Sequence, residues 1–186
     1  MKRWIAPLLV CLALFGVLVA QQPAAPAVAR LRTSTVIVVR HAEKDPQGDP
    51  KDPGLSEVGK TRALALAHLL APAKPTLLVA SEFQRTQRTL EPLAVALGLK
   101  VEPVPARDGA ALAQRLRALP PGSVSVVAGH SNTVPALVEA LGARCERIQQ
   151  GQLGEDEFGR VFVLTLAPSE QAERVATGLV ELSYGN

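Results

Sequence analysis

Apolar residues follow two rhythms along this chain. Short unbroken runs, Val36-Ile37-Val38-Val39, Leu77-Leu78-Val79-Ala80 and Val124 to Ala128, are bounded by polar or turn residues. Such runs predict strands buried on both faces, and Lys100 to Val104 predicts one more. Between them the apolar positions fall at helical spacing. Ser56 as N-cap and Glu57 in the first turn open a helix whose stripe reaches Leu70, where Pro72 and Pro75 stop it. Further helices are predicted from Ser81 to Leu97 with Gly98 as the stop, from Ala110 to Leu119, and from the stretch after Gly129 to Leu141. Strands alternating with helices predict a mostly parallel sheet covered on both faces, a three-layer α/β/α sandwich. From Arg160 the rhythm changes. Arg160 to Leu166 and Arg174 to Leu182 alternate on either side of Pro168-Ser169-Glu170, which predicts an antiparallel hairpin at one sheet edge.

The first 32 residues stand apart from this pattern. Lys2-Arg3 precede an apolar stretch from Trp4 to Val19, and Ala20-Gln21-Gln22-Pro23 ends it. That order reads as an export signal cleaved after Ala20, with an uncleaved membrane anchor as the competing reading. Gln21 to Arg32 is an Ala/Pro-rich linker, and residues 33–186 form the folded domain. The expected location is exported, periplasmic or extracellular, with membrane contact only through residues 4–20.

Composition narrows the picture. Of 186 residues, 47% are hydrophobic, 20% charged and only 3% aromatic, so Leu, Val and Ala must build the core. Lys2 and Arg3 account for two of the 20 basic residues, leaving 18 against 17 acidic ones from residue 21 onward. A nearly neutral body speaks against a nucleic-acid partner. Cys11 lies in the apolar leader, so Cys145 stands alone in the domain and no intramolecular disulfide is expected.

The chemistry gathers at strand ends. The first strand runs into Arg40-His41, the second into Ser81-Glu82-Phe83-Gln84-Arg85-Thr86, the fourth into Gly129-His130-Ser131-Asn132. Parallel strands bring their C-terminal ends to one edge, where open α/β sheets bind ligands. Two guanidiniums, two imidazoles and helix-start N–H groups around one point suit a phosphoryl group. His68, Arg62 and Arg88 read as ordinary helix residues, and Glu155-Asp156-Glu157 as a polar turn. No close-spaced pair of metal ligands appears in the sequence, and two cations beside a metal would oppose it.

Four of these stretches together resemble the histidine phosphatase superfamily, in its phosphoglycerate mutase-like branch, as a short single-domain member. Arg40-His41-Ala42-Glu43 is similar to the family's Arg-His-Gly-Glu signature, and Leu55-Ser56-Glu57-Val58-Gly59 to its Leu-Ser-x-x-Gly helix start. Ser81 to Thr89 is similar to its second-arginine motif, and Gly129-His130-Ser131 to its second histidine. The resemblance implies a phosphomonoester hydrolase without metal or cofactor, in which His41 becomes a phosphohistidine. Arg40, Arg85 and His130 would clamp the phosphoryl group, with Glu43, Ser131 and Asn132 assigned to substrate binding. Two features depart from the family. Ala42 replaces its glycine, and the proton donor is unassigned: Asp108 is the nearest carboxylate after the second-arginine motif, with Glu82 and Glu43 as rivals. The short loop after His41 argues against mutase activity. The expected partner is a small phosphorylated substrate or a phosphoprotein. A phosphate-binding module without turnover is the alternative, and oligomeric state is not determined by these residues.

Overall fold

The computed structural model describes residues 33–168 and 174–185. The leader and linker readings, and the connection at 169–173, lie outside the described residues. Among the described residues six strands form one sheet in the order β3-β2-β4-β1-β5-β6, with β1 at Ser34–Arg40, β2 at Leu77–Ser81, β3 at Val101–Val104, β4 at Val124–Gly129, β5 at Arg160–Pro168 and β6 at Arg174–Ser183. Strands β1 to β4 run parallel, β5 pairs antiparallel with β1, and β6 closes the edge antiparallel to β5. The expected edge hairpin is therefore present.

Helices α1 (Glu57–Leu70), α2 (Gln84–Leu97), α3 (Gly109–Arg117) and α4 (Thr133–Ala140) cover both faces. The period of two in β1 assigns them. Ile37 and Val39 face α1 and α2, packing with Leu66, Leu70, Leu90 and Leu93. Val36 and Val38 face α3 and α4, packing with Leu116, Val134 and Leu137. Because helices pack on both faces of this central strand, both are dry, which explains the unbroken apolar run.

One boundary differs from the sequence expectation. Ser81 is the last residue of β2, and α2 begins only at Gln84. Its first turn is capped from a distance: Asp52 Oδ1 accepts the Gln84 N–H at 2.9 Å. No local pattern could show a cap that arrives from the loop after β1.

The Leu-Ser-x-x-Gly stretch has a direct physical reading. Ser56 Oγ accepts the Gly59 N–H at 3.1 Å, and the Ser56 N–H donates to Glu43 O at 3.0 Å. A Cβ on Gly59 would lie 2.3 Å from Glu43 O. The start of α1 thus lies directly against the backbone two residues after His41. Gly59→Ala should destabilise the fold by about 1–3 kcal/mol through overpacking against backbone that cannot give way. Ser56→Ala should cost about 1 kcal/mol through loss of the cap. Urea unfolding midpoints of the two variants check both values.

Candidate active site

The C-terminal ends of β1, β2 and β4 lie side by side, as the order β2-β4-β1 requires. They carry Arg40 and His41, Ser81 with the turn into α2, and Gly129 with His130. The His41 N–H donates to Gly129 O at 2.9 Å, extending the β1–β4 ladder by one bond. The imidazoles of His41 and His130 meet edge-on, with ring centroids 5.3 Å apart. Two histidines 89 positions apart in the chain are thereby neighbours.

His41 is held in one tautomer. Its Nδ1 lies 2.7 Å from Ala42 O, and a carbonyl can only accept, so Nδ1 carries the hydrogen. The Nε2 lone pair is left available. Burial, with smaller contributions from His130, Arg40 and Arg85, pulls the His41 pKa down to about 3 against the favourable Ala42 bond. The following backbone is held too. The Ala42 N–H donates to Thr89 Oγ1 at 2.9 Å, and that hydroxyl donates to Arg85 O at 2.7 Å.

His130 belongs to a hydroxyl chain. Its Nε2 lies 2.9 Å from Ser81 Oγ, which lies 2.7 Å from Thr86 Oγ1. The Thr86 hydroxyl is also within reach of Phe83 O at 2.7 Å and Ser81 O at 3.1 Å. When Ser81 donates to Nε2, the His130 proton resides on Nδ1. Burial and the nearby Arg85 and Arg40 lower its pKa to about 4, while Glu82 acts in the opposite sense. The Gly129 position leaves room for this turn: a Cβ there would lie 2.7 Å from Thr133 Oγ1, which accepts the His130 N–H at 2.8 Å.

Arg40 is buried and aimed by a loop that the sequence reading passed over. Its NH1 donates to Gly154 O at 2.6 Å and Glu155 O at 3.1 Å, and its guanidinium lies 4.1 Å from the Phe158 ring centre. Glu157 shapes that loop, accepting the Gly154 N–H at 2.7 Å and pairing with the buried Arg160 at 3.3 Å. Arg160 also pairs with Glu181 and donates to Glu146 O at 2.9 Å. Glu155-Asp156-Glu157 is therefore more than a polar turn. It belongs to the loop that orients the first arginine.

Arg85 approaches from α2. Its guanidinium lies 4.4 Å from the Phe83 ring centre and 3.8 Å from Asp52 Oδ1. The Nε groups of Arg40 and Arg85 are buried and have no hydrogen-bond partner among the described residues. Burial lowers the pKa of both guanidiniums, opposed by nearby carboxylates. Two desolvated cations with spare N–H donors beside two neutral imidazoles favour an anionic ligand.

The remaining expected residues are placed as follows. Glu43 is engaged by Arg62, whose Nε donates to both carboxylate oxygens at 2.9 and 3.0 Å. Burial pushes the Glu43 carboxyl up, but the Arg62 bonds outweigh it and hold it below the usual range. Arg62 also donates to Tyr184 O and Gly185 O, so this pair ties the loop after His41 to the last residues of the domain. That geometry gives Glu43 a structural partner, Arg62, anchored at the end of the domain. Ser131 holds the Leu153 N–H through its carbonyl at 2.9 Å, and Asn132 is exposed before α4. Asp108 precedes α3 beyond the edge strand β3, half-exposed beside Arg107 at 3.7 Å. Glu82 is closer to the centre electrostatically, since its charge bears on both Arg85 and His130. Among the described residues no group of three or more His, Cys, Asp or Glu is arranged to hold a metal ion. No helix among them is long and apolar enough to cross a membrane.

Reasoning from the sequence missed Ser81, Thr86, Thr89, Phe83 and Phe158. The threonines left a readable trace, being polar residues three apart on a face of α2 that is fully buried. Phe158 left none beyond the rarity of aromatics.

Both imidazoles should stay neutral from pH 8 down to about 5, which ring-carbon shifts in an NMR titration would show as flat curves. The folded state binds fewer protons than the unfolded chain, whose histidines titrate near 6.5. These groups therefore cost stability as pH falls below 6.5 toward 4 and then 3. The fall in thermal midpoint between pH 7 and 4.5 should be smaller in His41→Asn.

A cationic pocket at the C-terminal edge of a parallel sheet, on a three-layer α/β frame, defines the class of this protein, and comparison with known proteins agrees on the fold. The sequence model of the histidine phosphatase superfamily (branch 1) matches residues 36–108. No curated protein matches the chain. Among solved structures, the protein histidine phosphatase SixA complexed with tungstate is 19% identical, covering 80% of this chain and 96% of its own, with a TM-score of 0.59. Mycobacterial hydrolase 1 is 18% identical over 79% of this chain and 98% of its own, also at 0.59. A mycobacterial glucosyl-3-phosphoglycerate phosphatase is 18% identical over 81% and 98%, at 0.54. The chain shares the fold of these structures, and residues 36–108 are similar to the histidine phosphatase superfamily.

Proposed function

We propose that the chain hydrolyses phosphomonoesters through a phosphohistidine on His41. The observation that carries this reading is the His41 tautomer: Nδ1–H is committed to Ala42 O, and Nε2 is an unprotonated nitrogen beside the buried Arg40 and the partly buried Arg85. The Nε2 lone pair forms the N–P bond as the P–O bond to the alcohol breaks, and the departing oxygen takes a proton. Water then attacks phosphorus, the N–P bond breaks, and inorganic phosphate leaves with His41 restored. Arg40, Arg85 and His130 offset the charge on the non-bridging oxygens through both steps. A dianion seated among them raises the proton affinity of His130, since it counters the two arginines that depress it. Glu82 is better placed than Asp108 as proton donor, because its charge bears on Arg85 and His130 and that of Asp108 does not. The chemistry draws on no metal, so chelator should leave the rate unchanged. Export remains our reading of the leader at residues 1–20, and it directs the search for substrate outside the cytoplasm.

Rapid mixing with a labelled aryl phosphate, followed by a denaturing quench, tests the intermediate. We expect acid-labile, base-stable label on the protein. Phosphate binding without any label transfer would favour the non-catalytic module instead.

A further inference from the structure

Outward from the buried clamp the site changes character. Arg40 and His41 are only 7% and 5% exposed. Each guanidinium is packed on a half-buried phenylalanine, Arg40 on Phe158 and Arg85 on Phe83. The same rings also face the imidazoles, with Phe83 at 5.3 Å from His130 and Phe158 at 6.0 Å from His41. The chain has four phenylalanines in all, and two of them stand here. Carboxylates stand around the same two arginines. Exposed Glu155 and Asp156 precede Phe158 in the loop whose carbonyls hold Arg40, and their charge reaches that guanidinium. On the other side Glu82 and Asp52 bear on Arg85. Glu157 and Glu43 are already matched by Arg160 and Arg62, and the nearby Arg107 pairs with Asp108.

A phosphate dianion on the clamp would match the two arginines and leave these outer carboxylates uncompensated. Whatever is esterified to that phosphate must then pass aromatic surface and a negative rim. An anionic alcohol would be repelled, whereas an ammonium group is attracted by the carboxylates and by aromatic faces alike. Resting on the phosphatase reading above, we propose that the rim of Phe83, Phe158, Glu155 and Asp156 selects phosphomonoesters whose alcohol half is cationic and rejects those whose alcohol half is anionic.

Three esters of similar size separate the possibilities: choline phosphate, its uncharged isostere 3,3-dimethylbutyl phosphate, and the carboxylate-bearing 3-phosphooxypropanoate. The expected order of kcat/KM is cationic, neutral, anionic, with about tenfold or more between the extremes at low ionic strength and less in added salt. Glu155→Gln combined with Asp156→Asn should narrow that ratio severalfold, chiefly by improving the anionic ester. Phe158→Leu should weaken the choline ester more than the propanoate ester. Equal rates for all three, a preference for the anionic ester, or a ratio unmoved by the double substitution would overturn the proposal. If none of the three is turned over, the phosphatase reading fails separately. Calorimetric binding of the same esters to the intact chain then still reads the charge preference, and equal or reversed affinities would sink it.

Discussion

His41→Ala should lower aryl phosphate turnover by about 10⁴-fold or more and abolish the labelled phosphoenzyme. The size of the effect follows from the role. A nucleophile that forms the covalent bond cannot be replaced by a neighbour merely close to it. His130, 5.3 Å away between ring centroids, has its Nε2 committed to Ser81 and so does not take over. The variant should still fold, because His41 contributes one side-chain hydrogen bond, to its own neighbour Ala42, while its backbone N–H bond to Gly129 is retained. Inorganic phosphate should still bind, since both guanidiniums remain. Turnover in His41→Ala within about tenfold of the unsubstituted chain would move the nucleophile elsewhere.

Arg85→Ala should reduce kcat/KM by about 10²–10³-fold, as expected for removal of one preorganised donor from a transition state gaining charge. Arg85 is the sharper test of the two arginines. Arg40 also holds the loop at Gly154 and Glu155, so its removal mixes clamp and architecture. Arg85 has a lighter structural load, with its guanidinium on Phe83 and 3.8 Å from Asp52. Asp52 keeps its bond to the Gln84 N–H when Arg85 is lost, so α2 keeps its cap. Arg85→Lys should recover only part of the rate, because an ammonium cannot present two parallel donors to a phosphoryl group. A full rescue by lysine would reduce Arg85 to a generic positive charge. Steady-state kinetics on both variants, with circular dichroism as the folding control, decides it.

Much of the fold was legible because its signals are local. An unbroken Val36 to Val39 run reports a strand dry on both faces, and Ser56 before Glu57 reports a helix start, as both proved. The Arg160 and Arg174 segments announced an edge hairpin through their alternation. The start of α2 was misplaced because its cap, Asp52, comes from another segment. The pairing of Glu43 with Arg62 is not legible in the sequence, because a place beside His41 says nothing of a residue nineteen positions away that faces it across the start of α1.

What the sequence determined by itself is the inventory: strand ends carrying Arg40-His41, Arg85 and His130, in an order that a parallel sheet brings to one edge. Identity and order suffice there, because β-strand geometry leaves little choice about where such ends go. Only the tertiary structure decided how those groups are tuned. The Gly154 and Glu155 carbonyls on Arg40 and the Ser81–Thr86 hydroxyls behind His130 come from other segments of the chain, and the His41 Nδ1 bond to Ala42 O rests on a turn that Thr89 holds from α2. The Phe158 wall and the carboxylates of Glu155 and Asp156 depend on a loop more than a hundred residues from His41, and the Phe83 wall on the turn between β2 and α2. Periodicity reports which face of an element is buried; it carries no record of which loop comes to cover the end of a strand.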